Sequence, residues 1–154
     1  MANPPSPPSL PSPPSPPSLA DFPLVAQEKL RYSDTDRQGH INNAVFATML
    51  ETGRVELLYA QDGVLHEPAC SVVIASLHLD FLDEVHWPGA VKIGTRVEKI
   101  GRSSVTLGQA IFQDDRCVAT STSVIVQVGL ESRRAEPLSE HALAKLNTLL
   151  AKAR

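Results

Sequence analysis

Apolar and polar residues alternate through much of this chain, and the phase of the alternation predicts its elements. Val73, Ala75, Leu77, Leu79 and Phe81 fall on odd positions, with Ser76, His78 and Asp80 between them. A period of two is the signature of a strand with one buried face. Val91, Ile93, Thr95 and Val97 alternate in the same way with Lys92, Gly94, Arg96 and Glu98, and Gly101 breaks that run. Val105, Leu107 and Ile111 mark a further strand, Asp114-Asp115 a tight turn, and residues 117–128 the next strand. The segment from His86 to Ala90, HWPGA, reads as a turn.

Two segments break the alternation. Residues 41–59 contain no proline and are rich in Ala, Met, Leu and Glu, so they predict a helix. Asn42 or Asn43 is placed to cap its start, and Gly63 lies just past its end. Val45, Phe46, Met49, Leu50, Leu57 and Leu58 point in most directions around its axis, which predicts a helix buried nearly all round. After Pro137, residues 138–150 give a short amphipathic helix through Leu138, Ala142, Leu146, Leu149 and Leu150. Residues 22–32, with Leu24, Val25, Leu30 and Tyr32, form a first strand. The order is strand, long helix, four strands, short helix. Short turns between the four strands predict antiparallel pairing, and the pattern is α+β, not a βαβ repeat. A sheet curled round one helix is the simplest way to cover that helix.

Composition separates off the start of the chain. The heptapeptide PPSPPSL occurs at 4–10 and again at 13–19, and nine of the thirteen prolines precede Ala20. Such a segment lacks the backbone donors and apolar side chains of a packed core. Residues 1–20 are therefore expected to be a solvated Pro/Ser-rich tail, partly polyproline II, and residues 21–154 one domain. Docking of the tail on an aromatic groove of a partner is the less favoured reading. The tail has neither the basic region nor the continuous apolar region of a targeting peptide. No stretch approaches the ~18 apolar residues of a membrane span, so the expectation is a soluble, cytoplasmic protein. A net charge of −3 and a pI near 5.9 give no nucleic-acid footprint. Cys70 and Cys117 match no metal-ligand spacing and are read as reduced thiols.

Chemistry is concentrated between the first strand and the helix, in Ser33-Asp34-Thr35-Asp36-Arg37-Gln38-Gly39-His40-Ile41-Asn42-Asn43. The first N–H groups of a helix are unpaired and sit at the positive end of its dipole, which suits a developing oxyanion. A carboxylate beside it can attack a carbonyl or deprotonate water. The same residue types also make ordinary turns and caps. Of the two carboxylates Asp34 and Asp36, one at most is expected to serve chemistry. Glu51, about two turns into a mostly apolar helix, is costly there unless paired or used; Arg54 at i+3 is the obvious partner.

The runs Tyr32-Ser33-Asp34-Thr35-Asp36, Gly39-His40-Ile41-Asn42-Asn43 and Met49-Leu50-Glu51-Thr52-Gly53-Arg54 resemble the 4-hydroxybenzoyl-CoA thioesterase-like branch of the hotdog superfamily. The resemblance spans most of 24–128 and includes the Pro88-Gly89 turn. It implies an antiparallel sheet wrapped around a long central helix, hydrolysing an acyl thioester of coenzyme A or of acyl carrier protein. On this resemblance Asp36 is the catalytic carboxylate, and the backbone N–H of Asn43 polarises the carbonyl. Glu51 helps place water or hold the site. Gly39 and the segment Arg102-Ser103-Ser104 contact substrate, Arg102 through a phosphate. A likeness to plant acyl-carrier-protein thioesterases adds His40, although Gln38 stands where those proteins have Asn. No metal or organic cofactor is implied, and a homodimer or homotetramer is.

Two other readings fit less well. A hotdog dehydratase uses Asp and His five apart with an intervening proline, whereas Asp36 and His40 are four apart and no proline lies between them. A non-catalytic acyl-CoA sensor has no need of Asp36 or Glu51.

Overall fold

A computed structural model describes residues 15–60 and 67–150. Five strands and two helices follow in the order β1 (Leu24–Lys29), α1 (Asn43–Tyr59), β2 (Cys70–Phe81), β3 (Ala90–Ile100), β4 (Ser104–Gln113), β5 (Arg116–Gly129) and α2 (Glu140–Thr148). One antiparallel sheet has the order β1-β3-β4-β5-β2. β2 therefore pairs with β5, not with the β3 that follows it, and forms an edge. Asp114 and Asp115, at φ 50° and 62°, make the tight β4–β5 turn. Most of the tail and Gly63 lie outside the described residues. The turn Leu19–Asp21 already packs Leu19 against Phe22, Ala110 and Phe112.

α1 lies across one face of the sheet, over β1, β3 and β4. Its start is capped by Asn42, whose side chain accepts the Ala44 N–H at 3.0 Å. Phe46, Met49, Leu50, Gly53, Arg54, Leu57 and Leu58 are buried, which is the i, i+3, i+4, i+7 stripe of a helix with one covered side. Val55 and Tyr59 are exposed, so the expectation of burial nearly all round is corrected within a single chain. Glu51 falls on the exposed side. The desolvation cost assigned to it from sequence is therefore absent.

The helix touches the sheet most closely at Gly53. A Cβ there would meet Gln109 Nε2 at 2.8 Å and Ile93 Cγ2 and Thr95 Oγ1 at 2.9 Å. Gln109 donates through Nε2 to the Leu50 carbonyl and to Thr95 Oγ1, each at 3.0 Å, and accepts from Arg54 Nη1 at 3.2 Å. This buried network ties helix to sheet, and its members are satisfied by one another. Below it, the lower half of α1 packs with α2, Val97, Leu107 and Ile125. Above it, the first turns of α1 pack with Ile41, Val85, Val91, Ile93 and Val118.

β2 departs from the simple alternation. A bulge between Ile74 and Ser76 shifts the register, so that Ile74 opposes Ile125 and Leu77 opposes Ser123. The apolar face turned toward α1 is thus Ile74, Leu77, Leu79 and Phe81, and Val73 points the other way with Val126. That face is not buried as expected: Ile74, Leu77 and Phe81 are 48%, 39% and 49% exposed. The reason is that α1 lies mainly over β1, β3 and β4 and meets the edge strand chiefly at its start, where Phe46 packs edge-on against Phe81 with ring centroids 5.1 Å apart.

Candidate functional site

The polar loop between β1 and α1 is a tight, hydrogen-bonded structure. Asp34 is buried and turned back on Arg31. Its Oδ2 accepts the Arg31 N–H at 2.8 Å, and its Oδ1 takes the guanidinium at 2.8 Å. The side-chain hydrogen bond from Arg31 holds the Asp34 carboxyl below the usual carboxylate range against the opposing effect of burial. The Asp34 N–H donates to the Arg31 carbonyl and the Asn42 N–H to the Asp34 carbonyl, which fixes where the helix begins.

Asp36, two residues on, faces the other way. Its Oδ1 accepts the backbone N–H of Gln38 at 2.8 Å and of His40 at 3.2 Å. Its backbone closes the loop, with N–H to the His40 carbonyl at 2.8 Å and C=O from the Gly39 N–H at 3.1 Å. Gly39 carries φ +84°, a left-handed conformation that glycine adopts without the Cβ penalty. Asp36 Oδ2 has no partner among the described residues. One oxygen is thus pinned and the other is free.

The second strut of the site is the segment between β2 and β3. Leu82 and Asp83 donate to the Val118 carbonyl, Ile41 donates to the Val85 carbonyl, and His40 forms an isolated bridge with His86. Asp36, Gln38, His40, Ile41, Asn43, Phe46, Phe81, Leu82, Asp83, Glu84 and Val85 line a cleft of about 400 Å³. Asn43, the first residue of α1, is exposed at its edge, and its backbone N–H has no acceptor among the described residues.

The fold brings Asp36, Gly39, His40 and Asn43 together and leaves the other candidates elsewhere. Glu51 lies about 12 Å further along the helix axis than Asn43. It forms no ion pair with Arg54, although its charge opposes the effect of burial in lowering the Arg54 pKa. The turn Arg102-Ser103-Ser104 sits beyond the far end of β3, roughly 30 Å from the strand end that adjoins the cleft. There the Ser103 carbonyl accepts the Gln127 N–H, the Arg102 carbonyl accepts the Leu138 N–H, and Arg102 is exposed. Glu84 and His86 were not singled out by sequence reasoning, which read their neighbourhood as a turn. Their i, i+2 spacing, which puts both on one side of an extended segment, was the available signal. Cys70 and Cys117 are free thiols, and burial raises the Cys117 pKa.

An antiparallel five-stranded sheet with one long helix laid across it, and a carboxylate loop leading into that helix, defines a hotdog domain. The sequence pattern of the thioesterase-like superfamily matches residues 30–146, and the chain belongs to that family. Three solved structures share the architecture. A Pseudomonas aeruginosa protein is 23% identical, with TM-score 0.82 over 90% of this chain and 99% of its own. A predicted thioesterase from Bacillus stearothermophilus is 26% identical, with TM-score 0.76 over 85% of this chain and 98% of its own. A thioesterase from Thermus thermophilus, solved with coenzyme A and zinc, is 27% identical, with TM-score 0.73 over 87% of this chain and 98% of its own.

Proposed function

We propose that the protein hydrolyses an acyl-CoA thioester to the free acid and the CoA thiol, as a member of the 4-hydroxybenzoyl-CoA thioesterase-like branch. The observation that carries this reading is the pairing of a pinned, half-free carboxylate with an unpaired helix-start N–H in one cleft. Asp36 either attacks the thioester carbonyl or takes a proton from the attacking water. The Asn43 N–H, aided by the positive end of the α1 dipole, stabilises the oxyanion. His40, whose N–H bonds Asp36, keeps the loop in shape. Coenzyme A bound to the Thermus relative supports CoA as the carrier.

The reading includes a homodimer. Its support is the open edge of β2 and the exposed Ile74, Leu77 and Phe81 beside it. A twofold antiparallel pairing of two β2 edges sets the Phe81 end of one copy against the Cys70 end of the other. The Arg102–Ser104 turn of one chain then approaches the Asp36 cleft of its partner, where Arg102 can meet a CoA phosphate. Light scattering should give about twice the 16.6 kDa chain mass. A single-chain mass would remove the shared site.

The direct test is thiol release from a panel of acyl-CoA esters by the wild type and by Asp36→Asn. The variant keeps the shape and removes the charge, and a loss of about a hundredfold or more is expected. Binding of acyl-CoA without cleavage of any ester would instead make the protein a ligand sensor.

A further inference from the structure

Beside Asp36, the cleft contains a second convergence of side chains. His40 and His86 stand opposite one another across their antiparallel bridge, with ring centroids 5.0 Å apart. Glu84 brings its Oε2 to 3.3 Å from His40 Nε2 and 3.4 Å from His86 Nε2. The three ligand-type atoms all lie within 4.8 Å of one another. Their backbones are held from several directions. The His86 N–H donates to Gln113 Oε1 at 3.1 Å, and Gln113 Nε2 returns a bond to the His86 carbonyl at 2.7 Å. The Glu84 N–H donates to Asp83 Oδ1 at 2.8 Å, and Asp83 is itself paired with Arg116.

We propose that His40, Glu84 and His86 form a binding site for one divalent transition-metal ion of the zinc class. Imidazole nitrogen and carboxylate oxygen bind zinc at about 2.0–2.2 Å, and tetrahedral geometry then separates two ligand atoms by about 3.3–3.5 Å. Both Glu84 contacts have that length. Each is longer than the roughly 2.7–2.9 Å of a strong charge-assisted hydrogen bond, and both converge on a single oxygen. Two imidazoles with one carboxylate suit zinc and its neighbours better than magnesium or calcium, which prefer all-oxygen shells. Three protein ligands leave a fourth position for water or an oxygen-bearing ligand in the cleft. The half-exposed Glu84 and His86 side chains leave the ion a route in from solvent.

This inference stands apart from the thioester reading, and its test does not use activity. The full chain, stripped with a chelator, is titrated with Zn²⁺ by calorimetry and with Co²⁺ by visible absorption. The expected result is about one ion per chain, with the intense d–d bands of tetrahedral cobalt. Glu84→Gln and His86→Ala should each weaken binding about tenfold or more while far-UV circular dichroism is unchanged. The double variant Cys70→Ser, Cys117→Ser should bind as the wild type does. Absence of saturable binding overturns the proposal. So does binding that survives both Glu84→Gln and His86→Ala, or binding that the cysteine variant abolishes.

Discussion

The Asp36 N–H donates to the His40 carbonyl at 2.8 Å, and the His40 N–H donates back to the Asp36 carboxylate at 3.2 Å. This reciprocal pair closes a loop of five residues and aims the carboxylate. The same loop delivers the chain to the start of α1, so the carboxylate and the helix N-terminus are positioned by one set of bonds.

Gly39 makes that closure possible. Its φ of +84° is in left-handed space, and nothing lies within 4 Å of where a Cβ would stand. Gly39→Ala should therefore act through backbone strain alone, at about 1 kcal/mol. Thermal unfolding should fall by a few degrees. kcat for thioester cleavage should fall more than a change of that size in stability explains, because the loop that aims Asp36 is loosened.

The role given to the Asn43 N–H can be tested by deleting it. Proline is well tolerated at the first position of a helix, where the N–H has no intrahelical partner. Asn42, at φ −58° and ψ 136°, already has the conformation that a following proline requires. Asn43→Pro should keep Tm within a few degrees and lower kcat by about 100- to 1,000-fold, the cost of one oxyanion donor. An unchanged kcat with an intact fold would remove Asn43 from the mechanism.

Gly53 sets the distance between helix and sheet. Alanine there recovers up to about 1 kcal/mol of helix propensity but overpacks against Gln109, Ile93 and Thr95, at about 1–3 kcal/mol. Valine overpacks more and recovers less. Urea unfolding should rank stability as wild type, then Gly53→Ala, then Gly53→Val, with the Arg54–Gln109 contact disturbed in both variants.

Asp34 gives the molecule a pH dependence of known sign. Its folded pKa is depressed, chiefly by the Arg31 hydrogen bond. A depressed carboxyl contributes stability above its unfolded pKa of about 3.9, and the contribution is lost as pH falls through the folded value. The Tm of the wild type should exceed that of Arg31→Met near neutral pH. The gap should close as the pH drops below about 4. A gap that stays constant down to low pH would assign the Arg31 effect to packing.

The elements were readable from the sequence because each depends on local periodicity. The strand runs alternate with period two, the α1 stripe recurs with period 3.6, and Asn42 has the short side chain that a cap requires. The loop motif was readable because few residue types combine a turn, a carboxylate and a helix start. The opposed orientations of Asp34 and Asp36 did not follow from extended-chain geometry, which puts residues two apart on one side. The tight turn Tyr32–Asp34 folds the Asp34 carboxylate back on Arg31.

Several features depended on contacts between residues distant in sequence. The bulge beside Ala75 re-phases β2, and strand pairing sets that register, not the strand's own pattern. The pairing of β2 with β5 made β2 an edge, so a face that alternation marks as buried is half-exposed in the single chain. Glu51 looked costly because its sequence neighbours are apolar, but exposure is a property of the packed helix. His40, Glu84 and His86 met only when the segment after β2 came alongside the loop before α1. The sequence by itself determined which segments form strand or helix and which loop carries the carboxylate. The tertiary structure decided which faces are covered and which distant side chains converge, because burial and coordination depend on neighbours in space.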